Sequence, residues 1–361
     1  MYFGLSDEQT MLKDMLKRFL ADEFPLDVVR QRLSEGCADE QWQRTVDLGI
    51  CGLLVPEEYG GSEVKLLDAQ VVAEVMGAAA APVPYLGSVI VAPAALRLMG
   101  TREQQARYLP QIASGEARFA VGLGGVVSPR EGFALEVTEG VASGRTSVVT
   151  DVADATHFLL GVDADTVIIA PRDAPGISIE MLTNVDKTRT YAVVSLDDVE
   201  VEILSSEGTT HQIVAVGRLA LASDSFGAAQ HMLETARTYS LERYQFDRPI
   251  GSFQGIKHQL AQMVTDLEPC RSLLWYTAHT FDEADEEFEL HSCYAKSLVD
   301  DVAKFVARTA TEIHGGMGYT ELLGLHLWFK RIEANRHQLG GAAAPRMRAA
   351  QLQKFAEVPA G

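Results

Sequence analysis

Positive charge is in short supply in this sequence. Against 50 Asp and Glu stand only 31 Lys and Arg, a formal net charge of −19. A chain of that sign repels polyphosphate backbones and anionic bilayers, which argues against nucleic acid or a membrane surface as partner. Cysteine is scarce as well: Cys37, Cys51, Cys270 and Cys293 are scattered, with no C-x-x-C pair. That excludes a disulfide frame and a cysteine zinc site, and it implies free thiols in a reducing, cytoplasmic setting. No grouping of His, Cys and carboxylates has metal-ligand spacing, so no metal is expected. Long apolar runs are missing too, and the Ala78–Pro84 stretch is short and broken by proline, so no bilayer span is expected. The N-terminal stretch is acidic and amphipathic, unlike a secretory signal. No Walker loop or G-x-G-x-x-G follows a strand-like run, which argues against a nucleotide-binding α/β sheet.

What is present is a chain of 361 residues, 47% hydrophobic and 22% charged, which reads as a soluble globular protein of two or three packed units. Residues 1–115 read as helical. Ser6 with Gln9 makes a capping box, and Met11-Leu12, Met15-Leu16 and Phe19-Leu20 recur every four residues. A short helix holding Trp42, Val46 and Leu48 leads into the Pro- and Gly-punctuated turn Leu53–Gly61, and helices follow over 65–80 and 87–99. Thr101 and Gln104 cap one more, ending near Ser114-Gly115. From 116 to 210 the pattern changes to short β-branched or alternating runs. These are Phe119–Val121, Phe133–Val137, Ser147–Thr150, Phe158–Val162, Val167–Ala170, Ile177–Leu182, Tyr191–Leu196 and Val201–Leu204. Their spacing predicts a small antiparallel sandwich or barrel. From 211 to 361 helical period returns, over about 212–243, 253–282, 286–314, 319–337 and 343–357. The acidic cluster Asp282–Glu287 reads as a solvated turn. The class is α+β, mostly α.

One connection has an unusual composition: Arg243-Tyr244-Gln245-Phe246-Asp247-Arg248-Pro249-Ile250-Gly251-Ser252-Phe253-Gln254. Arg243 and Phe246, three apart, would share a face at a helix end. Pro249 and Gly251 break the helix, and Phe253-Gln254 opens the next. A guanidinium, aromatic rings and a carboxamide at one break suit a flat anionic ligand. A plain helix–helix corner with a packed Phe and a surface Arg would leave the same letters.

The segment resembles the R-x-x-F-G-x-P-I-x-x-F-Q phrase of the acyl-CoA dehydrogenases, with Asp247 where that family usually has Gly. Ile313-His314-Gly315-Gly316-Met317-Gly318-Tyr319-Thr320 resembles the same family's I-x-G-G-x-G-(Y/F) turn, and Leu53–Gly61 its G-L-L-V-P-E-E-Y-G-G loop. The order and separation of the phrases fit along the whole chain. The resemblance implies a helical N-terminal domain, a middle β domain and a C-terminal four-helix bundle. It also implies FAD as cofactor, an acyl-CoA thioester as substrate and electron-transfer flavoprotein as electron acceptor.

The family's α,β-desaturation needs a carboxylate base near the α-carbon. Counting from Gly315, the eighth position, which the resemblance makes the place of the base in many members, is Leu322, with Glu321 beside it. Leu325-His326-Leu327-Trp328-Phe329-Lys330-Arg331 matches the family's L-H-L-(Y/W)-(L/F)-(K/R)-R without a gap, so no insertion moves Glu321 into place. One helical step turns a side chain by about 100°, so Glu321 serves only if the turn is altered. The alternative family position, one residue before an Arg matching Arg218, is Gly217. The β-domain T-E-P phrase that faces the flavin ring is absent from Ala120–Pro129. By contrast Arg243, Phe246, Phe253, Gln254, Gly315 and Gly316 are kept, and in the family these reach across an interface to a neighbour's FAD. Glu312 stands where the family often has Gln, keeping an acceptor and losing a donor. Arg218 is a candidate CoA contact or a surface ion pair. His258 and His314 read as packed or hydrogen-bonded, and Trp275 and Tyr276 as core.

The pattern resembles a base-lacking subunit of bacterial heteromeric (α2β2) acyl-CoA dehydrogenases, such as those acting on steroid side-chain or ring-derived CoA esters. A catalytic sister chain would then supply the base. The alternatives are a self-sufficient homomeric enzyme using Glu321 and a flavin-free assembly protein on the same fold.

Overall fold

The computed structural model describes residues 4–355. Helix α1 (Asp7–Glu23) opens with the expected box: the Ser6 hydroxyl accepts from the Gln9 N–H at 3.1 Å, and the Gln9 side chain accepts from the Ser6 N–H at 2.9 Å. Two otherwise unpartnered donors are satisfied reciprocally. Helices α2 (Leu26–Gln31), α3 (Asp39–Asp47), α4 (Leu66–Ala78), α5 (Ala92–Met99) and α6 (Arg102–Ala113) follow. The period predicts one helix over 87–99, but Leu86–Val91 is a π-turn leading into α5. Pro93, in the first turn of α5, has no N–H to donate and its ring crowds the preceding turn, which accounts for the wider winding.

The strands are β1 (Phe119–Gly122), β2 (Leu135–Thr138), β3 (Val141–Thr150), β4 (His157–Gly161), β5 (Thr166–Pro171), β6 (Ile177–Met181), β7 (Tyr191–Glu200) and β8 (Glu202–Ser205), with a one-turn helix α7 (Gly124–Val127) after β1. They form one sheet in the order β6-β7-β3-β1-β4-β5-β8, with β2 on β3. An antiparallel arrangement was expected, and one pair departs from it: β1 and β4 are parallel. Between them the chain runs out through α7 and the β2–β3 hairpin, a connection long enough to return in the same direction. Side-chain alternation gives the sheet two dry faces. Phe119, Leu159 and Ile169 pack on α5, α6 and the start of the next long helix, while Ala120, Phe158 and Ile168 fill the opposite face.

The remaining helices are α8 (Thr210–Glu242), α9 (Gln254–Asp282), α10 (Phe288–Ile313), α11 (Leu325–His337) and α12 (Ala343–Leu352). Helices α8 to α11 pack as a bundle with α12 against α10. The first half of α8 is buried on all sides, because α4 covers the flank that the bundle leaves open. The two axes come unusually close: a Cβ at Gly77 would collide with the Asp224 carbonyl, and one at Gly227 with the Glu74 carbonyl. Leu16 and Leu20 of α1 therefore belong to the same core as Met263 and Ala303. The helix expected over 319–337 begins only at Leu325, after the left-handed Gly324 (φ 70°). Among the described residues no helix is long and apolar enough to cross a membrane.

Candidate functional site

A cavity of about 790 Å³ lies where the π-turn, the sheet, α8 and the turn after α11 meet. Leu86 and Val91 come from the π-turn, Val121 and Leu123 from β1 and its exit, and Ser147 and Thr150 from β3. The opposite wall is Gly217 of α8 and the turn Gln338–Gly341. That turn carries consecutive left-handed residues, Leu339 (φ 52°), Gly340 (φ 100°) and Gly341 (φ 60°). A leucine there is strained, and Arg218 holds it: the Leu339 carbonyl accepts from Nε and Nη2, each at 3.3 Å. Arg218 is thus not a surface ion pair. It is 1% exposed, lies within α8, and its Nη1 reaches Cys293 Sγ at 3.3 Å. Burial pulls its pKa down.

Of the cavity's lining residues only Glu333 carries a carboxylate, and basic side chains already lie near it. Lys304 lies at 3.6 Å, His337 at 3.7 Å and Arg336 at 3.8 Å. Gly217, the sequence-derived alternative position of a base, does face the cavity, where a Cβ would approach Leu339 Cδ1 at 2.8 Å. Glu321 does not face it. It sits with the 73%-exposed Leu322 on an irregular bend, and Arg30 Nη2 donates to both their carbonyls, at 2.5 and 2.8 Å. The expectation that one helical step separates Glu321 from the base position is corrected by that bend, since no helix exists there.

The second set gathers at the far end of the bundle. Arg243 ends α8, and its carbonyl accepts from the Ile250 N–H at 2.7 Å. Between them Tyr244-Gln245 and Arg248-Pro249 pair as a two-residue hairpin with Phe246 and Asp247 at its tip, both left-handed (φ 53° and 59°). Arg243 and Phe246 therefore do not share a helix face as the three-residue spacing predicts. Two positive φ values in a row explain why a glycine suits position 247, and Asp is among the residues that tolerate it. Phe246 is 86% exposed and meets Phe253 edge-on, with Arg248 stacked on Phe253 at 3.9 Å. Gln254 starts α9 and is exposed. His314 stacks on Tyr239 of α8 at 4.4 Å and shares a hydrogen bond with the Ala310 carbonyl through Nδ1, which brings the Gly315-Gly316 turn to the same end. Around both glycines lies open space. Glu312 is engaged by Arg308 at 2.9 Å. His258 is exposed rather than packed, and Tyr276 is 38% exposed.

Sequence reasoning passed over the deepest polar feature. Asp224 of α8 is fully buried and accepts from Arg331 Nη2 (2.8 Å), Arg189 Nη2 (2.9 Å), the Tyr85 hydroxyl (2.9 Å) and Asn335 Nδ2 (2.6 Å). Burial alone would raise its pKa, but the two guanidiniums outweigh burial and hold the carboxyl well below the usual carboxylate range. Arg331 also donates to Thr188 Oγ1 at 2.8 Å. One carboxylate thus ties the N-terminal helices, the sheet and the bundle together. The available signal was a lone Asp in an apolar helical run, which is costly unless paired.

Helices, an eight-stranded sheet and a helix bundle closing on one largely apolar cavity define an acyl-CoA dehydrogenase-type protein. Residues 6–116 match the acyl-CoA dehydrogenase N-terminal domain and residues 209–351 the acyl-CoA dehydrogenase C-terminal domain. The chain belongs to the acyl-CoA dehydrogenase family. It is 27% identical over 354 residues to the probable acyl-CoA dehydrogenase YngJ of Bacillus subtilis (strain 168), covering 90% of this chain and 92% of that protein. A chain of the Tcur3481-Tcur3483 steroid ACAD superposes with a TM-score of 0.88 at 27% identity, over 97% of this chain and 98% of that one. A chain of the ChsE4-ChsE5 complex from Mycobacterium tuberculosis shares the fold, with a TM-score of 0.90 at 24% identity over 100% of both.

Proposed function

We propose that this chain is a non-catalytic subunit of a heteromeric, FAD-dependent acyl-CoA dehydrogenase, which completes the FAD site of a base-bearing sister chain in an α2β2 assembly. The observation that carries this reading is the cavity wall, where Gly217 stands at the alternative position of a base and Glu333 is the one lining carboxylate. When bound, FAD would supply the hydride acceptor for α,β-desaturation, and a protein carboxylate would have to take the α-proton. Here the one carboxylate among the lining residues, Glu333, already has Lys304 at 3.6 Å and Arg336 at 3.8 Å.

The residues at the other end of the bundle fit a part of FAD. Arg243 has no ion pair or side-chain hydrogen bond within the described residues, Phe246 is bare, and the Gly315-Gly316 ledge is open. A guanidinium free to grip a pyrophosphate and a ring free to lie on adenine suit donation to a neighbouring subunit. The steroid ACAD neighbour and the two-component complexes among the fold relatives support a bulky CoA ester, including a steroid-derived one, and a heteromer. Electron-transfer flavoprotein is the proposed acceptor.

A homomeric enzyme would have to use Glu333 from within the same cavity, and an assembly protein would hold no flavin. Co-expression with a base-bearing sister chain, followed by absorption spectroscopy and native mass, tests all three. The expected result is a colourless chain alone and a yellow, acyl-CoA-oxidising heteromer together. A yellow homomer with turnover would overturn the reading.

A further inference from the structure

On the β-domain side of the cavity one guanidinium is left without a partner. Only Arg130, Glu333 and His337 bring a guanidinium, carboxylate or imidazole to the lining. Glu333 and His337 both belong to α11 and lie 3.7 Å apart. Arg130 belongs to the connection from α7 to β2 and is exposed, and among the described residues it joins no ion pair or side-chain hydrogen bond. Its place in the chain is fixed. The Arg130 carbonyl accepts from the Phe133 N–H at 3.0 Å, the two residues form an antiparallel bridge, and left-handed Gly132 (φ 79°) closes the turn between them. A second guanidinium, Arg145, lies over the Phe133 ring at 5.0 Å, but Glu180 already holds it at 2.5 Å. Two arginines thus meet at one turn, and one of them is free.

Resting on the reading that this cavity admits an acyl-CoA, we infer that Arg130 is a specificity-determining residue that holds the diphosphate of the CoA at the cavity mouth. The two ends of such a thioester have opposite needs. The acyl group suits the apolar wall of Leu86, Val121, Leu123 and Leu221, whereas the diphosphate stays outside, because burying its charge without a partner is costly. Outside, it meets a chain of net charge −19, whose field repels phosphate unless a local cation offsets it. A guanidinium fork matches phosphate oxygens by two hydrogen bonds, and Arg130 has its fork unengaged. The nucleotide therefore leaves the cavity over the α7–β2 connection, and the chain takes a CoA thioester in preference to the same acyl group on pantetheine alone.

The test is calorimetric titration of the purified full chain with octanoyl-CoA, octanoyl-pantetheine and FAD. Octanoyl-CoA should bind about three- to tenfold more tightly than octanoyl-pantetheine, the worth of one solvent-exposed, charge-assisted contact. R130A should bring that ratio to about one while binding octanoyl-pantetheine as the parent does, and R130K, which keeps the charge and loses the fork, should fall between. Added salt should shrink the ratio in the parent and leave it unchanged in R130A. Arg130 is exposed, so thermal unfolding of the variants should match the parent. If the parent binds both thioesters equally, or R130A weakens both alike, the inference fails and the acyl-site reading stands. If R130A weakens FAD and spares octanoyl-CoA, the arginine serves the flavin's diphosphate and the inference is overturned. If neither thioester binds, the acyl-site reading beneath it fails, and the inference with it.

Discussion

At the scale of single residues the two ends of the molecule make opposite demands. Arg243 is exposed and offers its guanidinium outward. A charged bidentate contact to phosphate contributes about 1.5–3 kcal/mol, so R243A in the assembled complex should weaken FAD retention by roughly ten- to a hundredfold. Flavin absorbance after dialysis measures this, and unchanged flavin content would make Arg243 merely structural. Outside the cavity, E321Q should leave turnover within a few-fold of the parent, because Glu321 lies on the outer bend. E333Q should do the same if the sister chain holds the base. General-base contributions are about 10²–10⁴-fold, so anaerobic flavin reduction by acyl-CoA in a single turnover separates the cases. A hundredfold loss in E333Q with FAD still bound would return the chemistry to this chain.

At the scale of elements, contacts between segments decide stability. Helices α4 and α8 touch backbone to backbone at Gly77 and Gly227. G227V would force them apart, and overpacking of that kind costs about 1–3 kcal/mol or more. A clear drop in the urea midpoint is expected, and an unchanged midpoint would mean that the crossing relaxes freely. The loop before α3 is held to the sheet by the Cys37 N–H, which donates to Asp154 Oδ1 at 3.0 Å. Burial pushes the Asp154 carboxyl up to about 7. Between about pH 4, where the unfolded group releases its proton, and pH 7, the folded protein still holds it, so stability falls as pH rises. Asp151 and Asp300, each raised to about 6 by burial, act in the same direction. D154N keeps the acceptor for Cys37, so it should flatten part of that slope in denaturation curves taken from pH 4 to 7. A slope identical to the parent's would show that Asp154 is hydrated.

At the scale of the whole molecule, Asp224 joins all three parts of the chain. D224A would leave Arg189 and Arg331 buried without their carboxylate, and breaking a buried pair from one side costs about 3–5 kcal/mol. Chemical denaturation should show a large loss of stability in the whole protein rather than in one domain. A loss confined to the bundle would show that the helical and β parts unfold separately.

Periodicity and capping were enough to place the long elements. The Ser6–Gln9 and Thr101–Gln104 boxes, the helices from 210 to 242 and 254 to 282, and the change to strands near Phe119 all rest on local chemistry, which the sequence carries in full. Its phrases at Arg243–Gln254 and Ile313–Thr320 pointed to the family. What local pattern could not reach were matters of long-range approach. The parallel β1–β4 pair depends on where a distant hairpin returns, and the bend at Glu321 on a left-handed glycine three residues later. Arg218 reads as a surface charge until α10 and the Leu339 turn close over it, and Asp224 as an oddity until Arg189 and Arg331 arrive from other parts of the chain. Burial is a property of the assembled tertiary structure, and burial decides whether a charge is solvated, paired or left to meet a ligand.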